Sequence, residues 1–280
     1  MNADCHIHVA LDGIWYKTAL DAHRQCVRED WIRSYFQAYA DRGITRLRDG
    51  GDRFGVTDAA KRIAPEYGID YRTPIFPICR KGRYGGFIGR GFDDFEGYKA
   101  LVREAAARGA DFIKIMISGI MDFDHFGVIT SEPLTRQEIR DMTAFAHDEG
   151  FAVMAHANGA ETVIAAAEAG IDSVEHGAYQ NEESLAALAQ TGTVWVPTTV
   201  TIANLVGEGR YPDAVLAPLR DLHLANIRRC AGLGGLIAVG SDAGAYRVMH
   251  GEAALQERAL LQGMASQAAE DRIFEKFRRR

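Results

Sequence analysis

The chain has 280 residues, of which 47% are hydrophobic, 25% charged and 9% aromatic. These values are typical of soluble globular proteins and argue against disorder, collagen or a coiled coil. With 32 Lys and Arg against 38 Asp and Glu, the formal net charge is -6. The charge is spread without a basic patch, so we expect no nucleic-acid partner.

The sequence also lacks the features of a membrane or secreted protein. Its longest apolar runs, such as 163–167, are far shorter than the roughly 20 residues of a membrane span, and the start of the chain does not resemble a secretory signal. No C-x-x-C pair occurs among the cysteines, which we interpret as reduced thiols. We therefore expect a cytoplasmic protein without a membrane partner. The cysteines are Cys5, Cys26, Cys79 and Cys230.

Short apolar or β-branched runs alternate eight times with longer stretches whose apolar residues recur every three or four positions. Glycines that follow most of the longer stretches are typical helix ends. The predicted strands are 3–10, 44–49, 71–78, 112–118, 152–156, 173–176, 194–198 and 236–241. The predicted helices are 22–41, 57–64, 95–108, 136–149, 160–169, 182–189, 214–231 and 252–265.

Eight strand-helix units predict an α/β fold with a parallel sheet and right-handed crossovers. The number eight favours a closed (β/α)8 TIM barrel over an open doubly wound sheet. We expect a single domain over residues 1–280, because no linker divides the chain and a barrel of roughly 250 residues forms one domain. Functional groups of such a barrel lie at the C-terminal ends of its strands.

Histidines and one carboxylate recur at these predicted strand ends. His6 and His8 share one side of the first strand, because side chains of a strand alternate with a period of two. His156 ends the fifth strand, His176 ends the sixth, and Asp242 follows the eighth. Taken alone, the His6-x-His8 pair is equally compatible with a metal site and with two unrelated histidines. The complete set predicts a metal site.

Lys114 lies in the fourth predicted strand, on the same face as Phe112, Met116 and Ser118. This face is predicted to point into the barrel, whereas the alternating isoleucines point toward the helices. Lysine is rarely fully buried unless it is paired. Lys114 therefore needs an anion, a metal-linked modification or a route to water, and an internal ion pair is the structural alternative.

Four local strings resemble the amidohydrolase superfamily, specifically its prolidase-like and imidazolonepropionase-like branch. They are GITRLRDGG at 43–51, FIKIM at 112–116, VEHG at 174–177 and GSDAG at 240–244. The resemblance extends from His6 to about Gly263. It implies a metal-dependent hydrolase built on a distorted (β/α)8 barrel.

The resemblance further implies a binuclear centre with two divalent metal ions per chain. His6 and His8 of the first strand would hold one ion together with Asp242. His156 and His176 would hold the other ion. Lys114, carboxylated on its amine, would bridge the two ions. Zinc is the first choice of metal, because imidazole nitrogens and anionic oxygens suit it. The implied ligands are His6, His8, Lys114, His156, His176 and Asp242.

The expected reaction is cleavage of an amide C–N bond by a metal-activated hydroxide, with Asp242 as the catalytic proton carrier. An N-acyl amino acid or a dipeptide-like small molecule is the leading substrate class. Hydrolysis of a lactone or another ester at the same centre is the main alternative. A mononuclear deaminase or cyclic-amidine hydrolase is less favoured, because no acid follows His156 at 157–159. A non-catalytic barrel is disfavoured by the complete ligand set.

Substrate contacts are expected in the loops after the strands. The cationic, glycine-rich loop at 79–91 offers Arg83 or Arg90 for a carboxylate, and Tyr84 offers a hydroxyl near the reacting carbonyl. A solvated flexible loop is the equally favoured alternative. The loops after the fourth and eighth strands add His125 and Arg247 as candidate substrate-binding residues.

Relatives in this branch usually carry a small β-sandwich formed by segments on both sides of the barrel. Five residues precede His6 and little follows the eighth predicted helix, so the sandwich is expected to be absent. Barrel surface that relatives cover would then be exposed, which favours a homo-oligomer.

Overall fold

The structure is a computed structural model and describes residues 2–279. None of the helices in this range combines the length and the apolar composition that a membrane crossing requires. The strands are Asn2–Ile7 (β1), Ile44–Asp49 (β2), Asp70–Arg72 (β3), Pro77–Arg80 (β4), Arg90–Phe92 (β5), Ile113–Met116 (β6), Val153–Ala157 (β7), Ser173–His176 (β8), Val194–Val196 (β9) and Leu236–Ile237 (β10).

Helices follow the strands as the sequence pattern predicts, with two additions. They are Tyr16–Gln25 (α1), Glu29–Ala40 (α2), Val56–Ile63 (α3), Phe95–Ala107 (α4), Arg136–Asp148 (α5), Ala160–Glu168 (α6), Glu182–Thr191 (α7), Val200–Ala203 (α8), Asp213–Gly232 (α9), Glu252–Leu260 (α10) and Gln267–Lys276 (α11). The sequence pattern does not predict α8 or α11.

All strand pairs are parallel, in the orders β1-β2-β3 and β10-β9-β8-β7-β6-β4-β5. Backbone hydrogen bonds connect β1 to the segment after β10: Cys5 N donates to Val239 O at 2.9 Å and Asp242 N donates to His6 O at 2.7 Å. On the other side, β3 and β4 belong to one continuous stretch of chain. The predicted α/β barrel architecture is therefore confirmed.

The third predicted strand, 71–78, is broken into β3 and β4. Pro74 has no N–H to donate, and Ile75 adopts a φ of 67°. The carbonyl of Ile75 turns away from the ladder and accepts from Asp52 N at 2.9 Å and Thr57 Oγ1 at 2.8 Å. β5 begins at the end of the predicted loop 79–91 and pairs with β4, so the last residues of that loop are ordered.

The first predicted helix, 22–41, is two helices, α1 and α2. Cys26 ends α1 in an extended conformation with a φ of -161°, and Arg28 N then donates to His23 Nδ1 at 3.2 Å. This bend was not predicted because 22–41 contains neither glycine nor proline and its helical periodicity continues across the break.

Helix α11 closes the end of the barrel opposite the strand C-termini. Its Phe274 and Phe277 are buried with Phe112 and Met154 in one apolar cluster, and the rings of Phe112 and Phe277 lie 5.2 Å apart. Burial of each phenylalanine contributes roughly 1.5–3 kcal/mol to folding. The isoleucines of β6 pack on the outside with the helices. The C-terminal ends of the strands are left open to form a site.

The buried His223 of α9 gives the fold an acid-sensitive position. Its Nε2 lies 3.1 Å from Pro197 O, and its ring packs edge-on against Trp195 at 5.5 Å. Burial lowers the His223 pKa from 6.5 to about 4. The native state therefore binds this proton less readily than the unfolded state does, and the associated stability is lost as the pH falls below 6.5.

We expect the His223→Gln variant to weaken this pH dependence, because the amide of glutamine can still donate to Pro197 O but does not titrate. When the pH is lowered from 8 to 5, the free energy of unfolding of the native protein should fall by about 2 kcal/mol more than that of the variant. Urea unfolding at both pH values measures the difference. An equal fall in the free energy of unfolding of the two proteins would show that His223 does not cause this pH dependence.

Candidate metal centre

The ends of β1 and β10 bring two imidazoles and a carboxylate to one point. Asp242 Oδ1 lies 3.6 Å from His6 Nε2 and 3.5 Å from His8 Nε2. The three residues offer ligand atoms within 4.8 Å of one another. Lys114 Nζ, from β6, lies 3.1 Å from His6 Nε2 and 3.4 Å from His8 Nε2. Parallel strand ends therefore assemble residues that are up to 236 positions apart in the sequence.

The two later histidines join the same cluster. The rings of His156 and His176 lie 4.6 Å apart, and those of His6 and His176 lie 5.1 Å apart. All six predicted metal ligands thus meet around the C-terminal end of the barrel.

Hydrogen bonds fix the orientation of three of the imidazoles. His6 Nδ1 donates to Glu175 Oε2 at 2.8 Å, His176 Nδ1 lies 2.8 Å from Thr198 Oγ1, and His156 Nε2 lies 3.0 Å from Gly119 O. In each ring the other nitrogen is not used by these contacts, and that of His6 faces Lys114 and Asp242 in the cluster. Such outer contacts are the usual way in which proteins orient histidine ligands.

Glu175 belongs to a buried network that the sequence analysis did not identify. Arg48 donates to Glu175 Oε1 at 2.8 Å, to Ser173 Oγ at 2.7 Å and to Cys5 O at 2.7 Å. The side chains of Arg48 and Glu175 are both fully buried, so the charge of each compensates the charge of the other. The network holds the Glu175 carboxylate against His6. Arg48 and Glu175 were present in the quoted motifs but had no assigned role.

The electrostatic environment keeps the histidines neutral. Burial lowers the pKa of His6, His8 and His176 well below 6.5 and that of His156 to about 4. Neutral imidazole is the form that binds metal ions. Burial also lowers the pKa of the Lys114 amine, an effect that the Asp242 carboxylate opposes.

Three successive strand ends carry non-glycine residues in the left-handed region. His176, Thr198 and Asp242 have φ values of 65°, 51° and 59°. This conformation is costly for residues with a Cβ and is concentrated at functional sites. These sharp turns direct the side chains of the candidate ligands His176 and Asp242 toward the mouth of the barrel. In a regular strand, the side chains would instead continue to alternate between the two faces.

A glycine provides the space for the cluster. A Cβ at Gly50 would lie 2.2 Å from His8 Cε1 and 2.6 Å from Lys114 Nζ, so any side chain there would displace both residues. The resulting donor set, neutral imidazoles with one carboxylate, fits a divalent ion such as zinc.

Except for the fully buried His6, the residues of the cluster line a cavity of about 440 Å³. Aromatic and other apolar side chains form most of the remaining wall, together with one arginine. Tyr84 lies in this wall, with its ring 4.7 Å from that of His156. The aromatic lining residues are Trp15, Tyr16, Tyr84, Phe87, Phe123, Tyr211 and Tyr246.

Comparison with known families decides the class of this barrel. The model of the amidohydrolase family matches residues 4–274. This chain belongs to the amidohydrolase family. The family resemblance and the predicted enzyme class, a hydrolase of this family, are confirmed.

Individual relatives are more distant. The amidohydrolase is 29% identical over 273 residues to an uncharacterized protein of Mycobacterium tuberculosis, a match that covers 89% of this chain and 69% of the relative. This chain is also 27% identical to the ochratoxinase of Aspergillus niger. That match covers 85% of this chain but only 56% of the ochratoxinase. A solved Xaa-Pro dipeptidase structure has the same fold, with a TM-score of 0.75 and 23% identity over 96% of this chain and 71% of that one.

Three predicted substrate-binding residues of the amidohydrolase do not line the cavity. Arg83 donates to the carbonyls of Glu132 and Pro133. His125 is 72% exposed and pairs with Asp122. Arg83 is held by the segment that precedes α5 and His125 by a residue of its own loop, and neither side chain lines the cavity.

Arg247 is the third of these residues. Its guanidinium is more than half exposed and pairs with Glu208 at 3.2 Å. Arg90, the other candidate in the loop after the third strand, forms an ion pair with Glu104 of α4. The prediction placed cations in the correct loops but did not account for the acidic neighbours that hold them. Of the four predicted substrate-binding residues, only Tyr84 contacts the cavity.

Proposed function

We propose that this amidohydrolase is a metal-dependent hydrolase that cleaves the amide C–N bond of an N-acyl amino acid or a dipeptide-like small molecule. The observation that carries this proposal is the convergence of His6 Nε2, His8 Nε2 and Asp242 Oδ1 beside Lys114, where all but His6 line a cavity of about 440 Å³. A cavity of this size accommodates a small organic ligand.

Two divalent ions, with zinc as the first choice, would be held by the six residues of the cluster. His6, His8 and Asp242 would hold one ion, and His156 and His176 the other. When bound, such ions polarise a carbonyl and lower the pKa of water toward neutrality.

Lys114 would bridge the two halves of the cluster as a carbamate. The neutral amine of Lys114 would attack the carbon of CO2 and release one proton, so that an anionic carbamate with two oxygen ligand atoms replaces the amine. The position of Nζ, 3.1 Å and 3.4 Å from two imidazole nitrogens, supports this interpretation. No acidic side chain of the described residues lies within 4.0 Å of Nζ, so an internal ion pair with direct contact does not account for its burial.

Asp242 would carry the proton. Its carboxylate is largely buried yet faces the cavity beside both histidines of β1. From this position it accepts a proton from the attacking water and passes it to the leaving nitrogen, as general acid-base catalysis requires. The ring of Tyr84, beside His156, limits the access of water and contacts the substrate.

The relatives favour an amide over a lactone. The name of the Xaa-Pro dipeptidase denotes an enzyme that acts on dipeptides, and the amidohydrolase family is named for amide cleavage. We therefore propose amide hydrolysis as the main activity.

We expect metal removal to abolish hydrolysis in a screen of N-acyl amino acids, dipeptides and lactones. Protein purified without chelator should contain about two metal ions per chain. Chelator treatment should remove the ions and the activity, and added zinc should restore both. Circular dichroism before and after treatment controls for unfolding. Amide turnover that survives complete metal removal would contradict the proposal, and turnover of lactones alone would favour the ester alternative.

A further inference from the structure

One cation of the cavity wall is not part of the metal cluster. Arg210 lies in the segment 204–212 between α8 and α9 and lines the cavity. Its guanidinium stacks over three aromatic rings, at 4.4 Å from the ring centre of Tyr246, 4.9 Å from Trp15 and 5.3 Å from Tyr211. These rings hold the side chain at the cavity although the residue is exposed.

The charge of Arg210 is not compensated within the described part of the chain. No carboxylate of residues 2–279 lies within 4.0 Å of its guanidinium, and its side chain makes no hydrogen bond there. Glu208, two positions earlier, is instead engaged by Tyr246 at 2.8 Å and by Arg247 at 3.2 Å. Arg210 thus differs from Arg83 and Arg247, whose guanidinium groups have protein partners.

Stacking leaves the hydrogen-bonding edge of Arg210 available. Contacts between a guanidinium and aromatic rings do not use its N–H groups as hydrogen-bond donors to a protein acceptor. Two parallel N–H groups in this arrangement match the two oxygens of a carboxylate. The side chain is therefore oriented for an anionic group of a ligand.

Aromatic contacts connect Arg210 to the metal cluster. Trp15 contacts Tyr16 at 5.9 Å, Tyr16 contacts Phe87 at 5.2 Å, and Phe87 contacts Tyr84 at 5.9 Å. Tyr84 then contacts His156. A continuous apolar wall thus has the cation at one end and the histidines at the other.

We propose that Arg210 is the carboxylate anchor of the substrate pocket and determines its specificity. The ligand class is an amide with an aromatic or other flat apolar group and a free carboxylate. The carboxylate binds Arg210, the apolar group lies on the aromatic wall, and the amide lies at the histidines. This inference rests on the proposed function for the position of the scissile bond, but the anchor itself is testable without turnover.

The test measures binding of two probes of equal size that cannot be hydrolysed, 3-phenylpropanoate and 3-phenylpropan-1-ol. Isothermal titration of metal-loaded protein should show Arg210→Met weakening the binding of the acid by about 10- to 100-fold, the loss of a charged hydrogen bond. Binding of the alcohol should remain within about threefold, because methionine preserves an apolar stem on the rings. Arg228→Met is the matched control, since Arg228 is exposed on α9 and does not line the cavity.

Equal binding of 3-phenylpropanoate by the native protein and Arg210→Met would overturn the anchor, and so would an equal loss for acid and alcohol. In kinetics, N-benzoyl-L-phenylalanine should show a raised KM in Arg210→Met with kcat little changed, while its carboxamide analogue should show neither effect. Selective binding of the acid without turnover of any amide would support the anchor and contradict the proposed function. Amide turnover without an Arg210-dependent preference for the acid would do the reverse.

Discussion

Replacing Asp242 by asparagine is expected to lower kcat by roughly 100- to 10,000-fold, the range in which a positioned acid-base group contributes. Asparagine has nearly the same shape, but its amide does not accept and return a proton. The backbone N–H of Asp242 would still donate to His6 O, so the connection between β1 and the segment after β10 should persist. The loss should therefore reside in turnover and not in folding.

Steady-state kinetics and metal analysis of Asp242→Asn separate the two roles of the carboxylate. A variant that retains most of its metal but loses turnover identifies Asp242 as the proton carrier, whereas an equal loss of metal and turnover identifies it as a ligand only. Asp148→Asn is the matched control, because Asp148 is exposed at the end of α5 and does not line the cavity. Near-native turnover of metal-loaded Asp242→Asn would contradict the catalytic role.

The parallel order of the fold was predictable because each strand and helix has a local periodic pattern. Deviations arose where backbone chemistry overrode that pattern. At Ile75 the carbonyl binds Asp52 and Thr57 instead of a neighbouring strand, an interaction between residues 18 or more positions apart that no local pattern records. Similarly, α11 is an ordinary amphipathic segment by sequence, and only the closed barrel shows that it fills one end.

The clustering of the six candidate residues could be predicted because the geometry of a parallel barrel brings strand ends together irrespective of sequence distance, and the family resemblance implied their role as ligands. Arg48 and Glu175 could not be predicted, because their partnership links positions 127 apart through side chains, and each residue alone resembles a surface charge. The same reason explains why Arg83, His125 and Arg247 were predicted to contact the substrate but do not line the cavity. A loop arginine is available to a ligand only if no neighbouring carboxylate holds it, and that condition is met by Arg210 but not by Arg247.

The strained turns illustrate a further limit. His and Asp are enriched among the non-glycine residues of the left-handed region, but the sequence does not reveal that His176 and Asp242 adopt it. Their conformation is imposed by the surrounding hydrogen bonds, including Trp195 Nε1 to His176 O at 2.8 Å. The strain is thus sustained by the packed barrel, and it directs these two side chains to the cluster.

Substituting Lys114 by alanine is expected to reduce the bound metal from about two ions per chain to one or fewer, because the variant lacks the proposed bridging oxygens. The native protein should gain metal when bicarbonate is supplied during loading, since CO2 is the co-reactant that forms the carbamate. Lys114→Ala should show no such dependence. Lys81→Ala, at an exposed lysine paired with Asp93, should behave like the native protein.

The carbamate also has a signature that is independent of activity. Carbon NMR of native protein loaded with isotopically labelled bicarbonate should show one protein-bound carbamate signal, and Lys114→Ala should lack it. The fully buried Lys114 makes this test specific, because exposed lysines are protonated near neutrality and react poorly. Unchanged metal content in the variant, or a native protein that binds two metal ions without a carbamate signal, would show that Lys114 is an ordinary buried amine, and the histidines with Asp242 would then form the metal site without it.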